Sequence, residues 1–243
     1  MKKLFIILPV LMMSLTVLAA DVKPLRVLVL GDDPTMVSDE ANGSVGYATM
    51  LQPLFDEAVT VDVQASAGLL SADAAELLSP AQKGDIVMLC KLPVIEEADA
   101  ERTMTDRYLD QLLPVVQAAK KKGVKLIMLT PVSPRYFTAE GVQVHRLGIY
   151  PEVVRRLCQR DELPLIDLED LTFNWLTLLG QEASAEMYIP EKPASPAAEL
   201  KAAREGKLLS EKGAGKVASL LAEAIRADKK HLLNKRLRNA TAE

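Results

Sequence analysis

The 243-residue chain is short of the residues that most often carry chemistry. It has two histidines, two cysteines and one tryptophan, and aromatic residues make up 4% of it. Neither Cys90 nor Cys158 has a partner at metal-ligand spacing, which leaves no cysteine-based zinc site. Basic residues do not exceed acidic ones. With 29 Lys and Arg against 33 Asp and Glu the net charge is -4, which argues against a nucleic-acid partner. No Gly/Ser or Pro-rich linker splits the chain into comparable halves, no internal repeat is visible, and no second apolar segment of membrane length follows the N-terminus.

What is present starts with a leader. Met1-Lys2-Lys3, the apolar stretch Leu4 to Leu18 and the small residues Ala19-Ala20 have the three-part layout of a secretory signal peptide. The chain therefore reads as a signal peptide over 1–20, one domain over 21–228 and a basic tail over 229–243. Removing Lys2 and Lys3 takes the basic count from 29 to 27 and the net charge from -4 to -6. No cysteine follows the leader closely enough to carry a lipid, so the expected location is secreted or periplasmic, with no membrane anchor after processing. In that compartment Cys90 and Cys158 are either a disulfide joining two core elements or two buried free thiols.

From Leu25 onward short apolar runs alternate with helical periodicity, the pattern of a parallel sheet covered by helices. Strands are expected at Arg26 to Leu30, Val59 to Val63, Asp85 to Cys90, Lys125 to Leu129 and Leu165 to Asp167. Several are continuously apolar, as strands buried on both faces are. Amphipathic helices are expected over Gly46 to Glu57 and Arg102 to Lys122, the second stopped by Gly123 after a solvated lysine run. Pro151 marks another helix start, and Ser210 caps the last helix. Glu186 to Gly206, with Pro190, Pro193 and Pro196, reads as an exposed loop holding one short helix near Ala197 to Ala203. The tail from Lys229 to Arg238 reads as a frayed helix extension.

Several short segments carry a family signature together. They are the strand ending in Gly31-Asp32, Gly46-Tyr47-Ala48-Thr49-Met50-Leu51, Lys83-Gly84-Asp85, and Leu129-Thr130-Pro131-Val132 with Arg135-Tyr136-Phe137. Gly148-Ile149-Tyr150-Pro151, Pro164-Leu165-Ile166-Asp167-Leu168 and Ser210-Glu211-Lys212-Gly213-Ala214 complete the set. In this order the chain, from about Leu25 to Ile225, resembles the SGNH (GDSL-type) hydrolases, and within them the rhamnogalacturonan acetylesterase-like branch. The resemblance implies a three-layer α/β/α sandwich around a five-stranded parallel sheet, flavodoxin-like in plan, with ester hydrolysis as the activity of its active members.

The same resemblance exposes a loss. Where the family has a nucleophilic serine, this chain has Asp33, which carries no hydroxyl for a base to activate. The oxyanion glycine falls loosely on Gly68. The oxyanion asparagine segment falls on Leu92-Pro93-Val94, which lacks a side-chain amide, and losing one such donor costs about a hundredfold to a thousandfold in rate. The family's Asp-x-x-His falls on Glu205-Gly206-Lys207-Leu208, and leucine accepts no proton. His145 and His231, the two imidazoles of the chain, read as surface residues.

The expectation is a catalytically degenerate relative of carbohydrate acetylesterases with no catalytic residues, no cofactor and no resident metal. Its partner would be a carbohydrate bound around Asp32, Asp33, Lys91 and Tyr136, with Lys91 paired to Asp33. An active esterase with a different residue set, and a structural or partner-binding protein, are the alternatives. A hard cation held by Asp32, Asp33 and the run Glu96, Glu97 and Asp99 is the weaker option for the site, and Phe137, Phe173 and Trp175 are the remaining sugar-stacking candidates.

Overall fold

The computed structural model describes residues 23–65, 73–93, 103–190 and 205–239. In chain order the elements are β1 (Leu25–Gly31), β2 (Val59–Ala65), α1 (Ala74–Leu77), β3 (Ile86–Cys90), α2 (Met104–Lys122), β4 (Lys125–Leu129), β5 (Arg135–Tyr136), α3 (Tyr150–Asp161), β6 (Leu165–Ile166), α4 (Leu168–Ala183), β7 (Glu205–Gly206) and α5 (Glu211–Ala227). Five strands form a parallel sheet in the order β2-β1-β3-β4-β6, while β5 and β7 make a separate antiparallel pair.

The sheet is apolar on both faces, and alternate residues of one strand feed two different cores. Val27, Val29, Ile86, Met88, Ile127 and Leu129 face a cluster closed by α4 and α5. Leu28, Leu30, Val87, Leu89, Leu126 and Met128 face a second one closed by α1, α2 and α3. The result is the three-layer α/β/α sandwich. Local signals end the helices where the sequence places them. Thr103 accepts the Asp106 amide at the start of α2, Gly123 closes it with φ 72°, Pro151 opens α3 and Ser210 accepts the Gly213 amide at the start of α5.

Four local expectations need correction. Gly46 to Glu57 is not an α-helix but two 3-10 turns, Tyr47–Met50 and Gln52–Leu54. The apolar spacing was real, since Tyr47, Leu51 and Phe55 are fully buried. A continuous helix is prevented because no side chain caps its start, Pro53 lacks a donor, and Gly46 is held so close to Met36 that a Cβ there would lie 2.1 Å from the Met36 carbonyl oxygen.

The tail is not frayed either. After α5 the chain turns back, Leu233 is fully buried, and Asn234 donates to the Ile225 and Arg226 carbonyls at the helix end. Leu237 bridges to Phe55, Arg238 donates to the Phe55 carbonyl at 2.6 Å, and Arg236 donates to the Lys23 carbonyl at 3.0 Å. The lysine run is likewise not wholly solvated, for Lys122 donates to the carbonyls of Leu78 and Ser79.

Part of the expected loop is ordered pairing, since Glu205–Gly206 forms β7 against β5. The short helix expected near Ala197 to Ala203 and the leader over 1–20 lie outside the described residues. Cys90 and Cys158 are both buried free thiols. No helix among the described residues is long and apolar enough to cross a membrane.

Candidate active-site cleft

Strand order reverses between β1 and β3, because β2 lies beyond β1 on one side and β4 beyond β3 on the other. That reversal opens a crevice at the carboxyl ends of the two strands. β1 delivers Asp32 and Asp33 there, and β3 delivers Lys91 and Leu92.

Asp33 does not face the crevice as a nucleophile would. It is 3% exposed, and its Oδ1 accepts from the Thr35 amide at 2.8 Å and the Thr35 hydroxyl at 2.7 Å. Its Oδ2 accepts from the Val132 amide at 3.1 Å and the Cys90 thiol at 3.8 Å. The carboxylate thereby caps a 3-10 turn, Pro34–Met36, and ties it to the ends of β3 and β4. Burial pushes the Asp33 carboxyl above its usual range, against the downward pull of the Thr35, Val132 and Cys90 hydrogen bonds. The sequence reading missed Thr35, Cys90 and Val132. Asp-Pro-Thr is an Asx-turn pattern, and that local signal could have revealed the first of them.

Asp32 is the partner of Lys91, at 3.6 Å, with both side chains almost wholly buried. The expected pairing of Lys91 with Asp33 is therefore corrected. In the β1 to β3 register Gly31 lies opposite Cys90, so the next residues on each strand, Asp32 and Lys91, meet, while the Asx turn rotates Asp33 inward. Asp32 Oδ1 also accepts the Leu92 amide at 2.5 Å. Burial raises the Asp32 carboxyl, and the neighbouring charge of Asp33 adds to that. Burial, together with the two carboxylates, pushes the Cys90 thiol well up, so Cys90 keeps its proton and is no thiolate nucleophile.

The other positions inherited from the resemblance lie in different settings. Leu92 contributes only its backbone here. Gly68 and Val94 lie outside the described residues, as do Glu96, Glu97 and Asp99. Glu205 sits in β7 opposite Tyr136, and the Leu208 carbonyl accepts the Ile189 amide at 2.8 Å. A pocket of about 600 Å3 survives beside these residues, lined by Pro34, Asn42, Ile189, Lys207 and Leu208 among others, more apolar than polar. Among the described residues no three His, Cys, Asp or Glu side chains cluster as a metal site, and the Asp32 and Asp33 oxygens already serve amides, a thiol and an ammonium.

The stacking candidates separate by environment. Phe137 is buried under the Arg135 guanidinium, and Trp175 packs against the core. Tyr136 is half-buried with the Arg146 guanidinium 4.1 Å from its ring centroid, so one of its faces is occupied. Phe173 lies 3.6 Å from the His145 ring at an interplanar angle of 8°. His145 is exposed but not idle. Its Nδ1 meets Glu169 Oε1 at 2.7 Å, a pairing between residues 24 apart with no local sequence signature. His231 is half-buried, its Nδ1 accepting the Leu233 amide, and burial lowers its pKa. No described hydroxyl or thiol is in hydrogen-bond contact with either imidazole.

Three comparisons place this geometry among known proteins. No family model matches the chain. In sequence it is 27% identical over 215 residues to the rhamnogalacturonan acetylesterase RhgT of Bacillus subtilis, covering 84% of this chain and 90% of that one. In structure it superposes on the protein YxiM of Bacillus subtilis with a TM-score of 0.64 at 20% identity, over 84% of this chain. The chain spans only 57% of the length of that structure. A member of the lipolytic G-D-S-L family from Veillonella parvula superposes with a TM-score of 0.47 at 11% identity, over 86% of this chain and all of the other.

Proposed function

We propose that this relative of the rhamnogalacturonan acetylesterases, built on the α/β plan of the SGNH (GDSL-type) hydrolases, is an exported protein that has lost ester hydrolysis and kept a carbohydrate-binding role. The observation that carries the reading is Asp33. Hydrolysis by this family's route needs a hydroxyl that an imidazole can deprotonate. At that position stands a carboxylate turned into the protein and engaged by two amides, a hydroxyl and a thiol. The base position holds Leu208 and the segment that would carry the amide reads Leu92-Pro93-Val94, so the three elements of the mechanism are replaced together. The surviving pocket beside Pro34 and Leu208 supports binding without chemistry.

The test is turnover. The purified chain, incubated with p-nitrophenyl acetate and with acetylated pectin, is expected to release no more product than a heat-killed control. Saturable turnover well above that control overturns the reading. Thermal-shift measurements with pectic oligosaccharides address the binding half, where a concentration-dependent rise in melting temperature is expected.

A further inference from the structure

We propose that the hairpin running from Arg135 to Arg146, together with Phe173 beneath it, forms a second, surface-exposed site selective for anionic saccharides. This rests on the carbohydrate-binding reading above and adds to it a place and a charge class.

The first half of the site is a fixed ring. A carboxylate can only accept, so His145 Nδ1 donates to Glu169, which leaves Nε2 as the outer edge of the ring. Glu169 is itself held, by Arg155 at 2.6 Å and by its own amide bonded to the Thr130 hydroxyl at 2.8 Å. One face of the imidazole lies on Phe173, yet the side chain is 62% exposed, so the opposite face and the Nε2 edge are open to solvent. An orientated flat ring of this kind is a platform for the C–H face of a sugar, and its order precedes the ligand, which lowers the cost of binding.

The second half is a cation held on an aromatic ring. Arg146 is exposed, its guanidinium rests on the Tyr136 ring, and it makes no hydrogen bond or ion pair with any described residue. The neighbouring arginines differ. Arg155 is engaged by Asp167 and Glu169, and Arg135 donates to Ser184 and Gln181. A guanidinium stacked flat on an aromatic ring keeps its rim of N–H donors outward, the geometry that grips a carboxylate or a sulfate with two parallel hydrogen bonds.

The two plates belong to consecutive residues, His145 on Phe173 and Arg146 on Tyr136. The hairpin that carries them is pinned, with Val144 donating to the Tyr136 carbonyl, Gln143 accepting the Tyr136 amide and donating to the Pro134 carbonyl. Because the whole chain is net negative, recognition of an anion here is a local property and not a general attraction.

The experiment is calorimetric titration of the full chain with three probes: oligogalacturonides, sulfated chondroitin oligosaccharides and neutral galacto-oligosaccharides. Binding is expected for a carboxylated or a sulfated probe, which identifies the oxyanion, and not for the neutral one. Arg146→Gln should weaken that binding by about tenfold or more, the loss of a charged bidentate contact, and Arg146→Lys should recover only part of it. His145→Ala should weaken it as well. Leu208→Trp, which fills the cleft pocket, should remove only the part of the binding that Arg146→Gln leaves intact. Equal binding of the neutral probe, or wild-type affinity in Arg146→Gln, overturns this site. If Leu208→Trp abolishes saccharide binding while Arg146→Gln does not, the ligand sits in the cleft, so this site fails and the function proposed above stands. If the wild-type chain binds no saccharide at all, both fail.

Discussion

The corner around Asp33 and the hairpin around Arg146 carry similar chemistry and use it in opposite ways. At the corner every carboxylate oxygen of Asp33 is turned onto a donor of the protein itself, and the side chain is 3% exposed. On the hairpin Arg146 lies on an aromatic ring with its donors unspent, and the His145 ring beside it shows a bare face. A polar group absorbed by the fold contributes to stability and is closed to ligands, whereas one held in place but unsatisfied is available to them. Asp33 is thus part of the scaffold.

The comparison breaks most readily at Asp33. Asp33→Leu leaves the Thr35 and Val132 amides facing an apolar group in a buried corner, and is expected to cost about 3 to 5 kcal/mol in urea denaturation. A cost below about 1 kcal/mol would show that the corner is not held by its carboxylate. Asp33→Ser is milder, at about 2 kcal/mol, and it introduces a hydroxyl. It should nevertheless release no p-nitrophenol from the acetate, because Leu208 supplies no base. Turnover by this single variant would mean that the remaining machinery is intact.

Acidity sharpens the contrast further. Burial holds the Asp33 carboxyl above its usual range, so the folded state keeps a proton that the unfolded chain gives up near pH 4. Stability from this group is therefore full below that pH and declines as pH rises toward the raised folded value. Asp33→Asn removes this contribution, so urea midpoints followed upward from pH 4 should fall less steeply in the variant than in the wild type. Parallel curves would contradict it. The smallest effects are expected on the hairpin, where Arg146→Gln should change stability by no more than about 0.5 kcal/mol while altering saccharide affinity.

Much of this was legible in the chain. The strand cores are readable because residues such as Leu28 and Val29 must both be apolar when both sheet faces are covered, and helix ends at Thr103, Gly123 and Ser210 announce themselves through local chemistry. That Asp33 is not a serine and Leu208 not a histidine is also readable, since it is a matter of side-chain identity. What escaped was pairing over distance. Whether Lys91 meets Asp32 or Asp33 is decided by strand register and a turn, and Glu169 reaches His145 across a whole helix. The tail misled for a related reason. Its lysines and arginines drew attention from Leu233, Asn234 and Leu237, which do the packing and capping.

That packing has a use beyond the fold itself. Arg236 reaches the Lys23 carbonyl and Leu237 lies beside Phe55, so the first and last described segments adjoin at one corner of the molecule. A few inserted residues between them would close the backbone into a ring, and Gly141, at φ 77° with nothing near its missing side chain, marks an exposed tip at which that ring can be reopened. Such a circular permutant would keep all five sheet strands in register while freeing the two arms of the hairpin from one another.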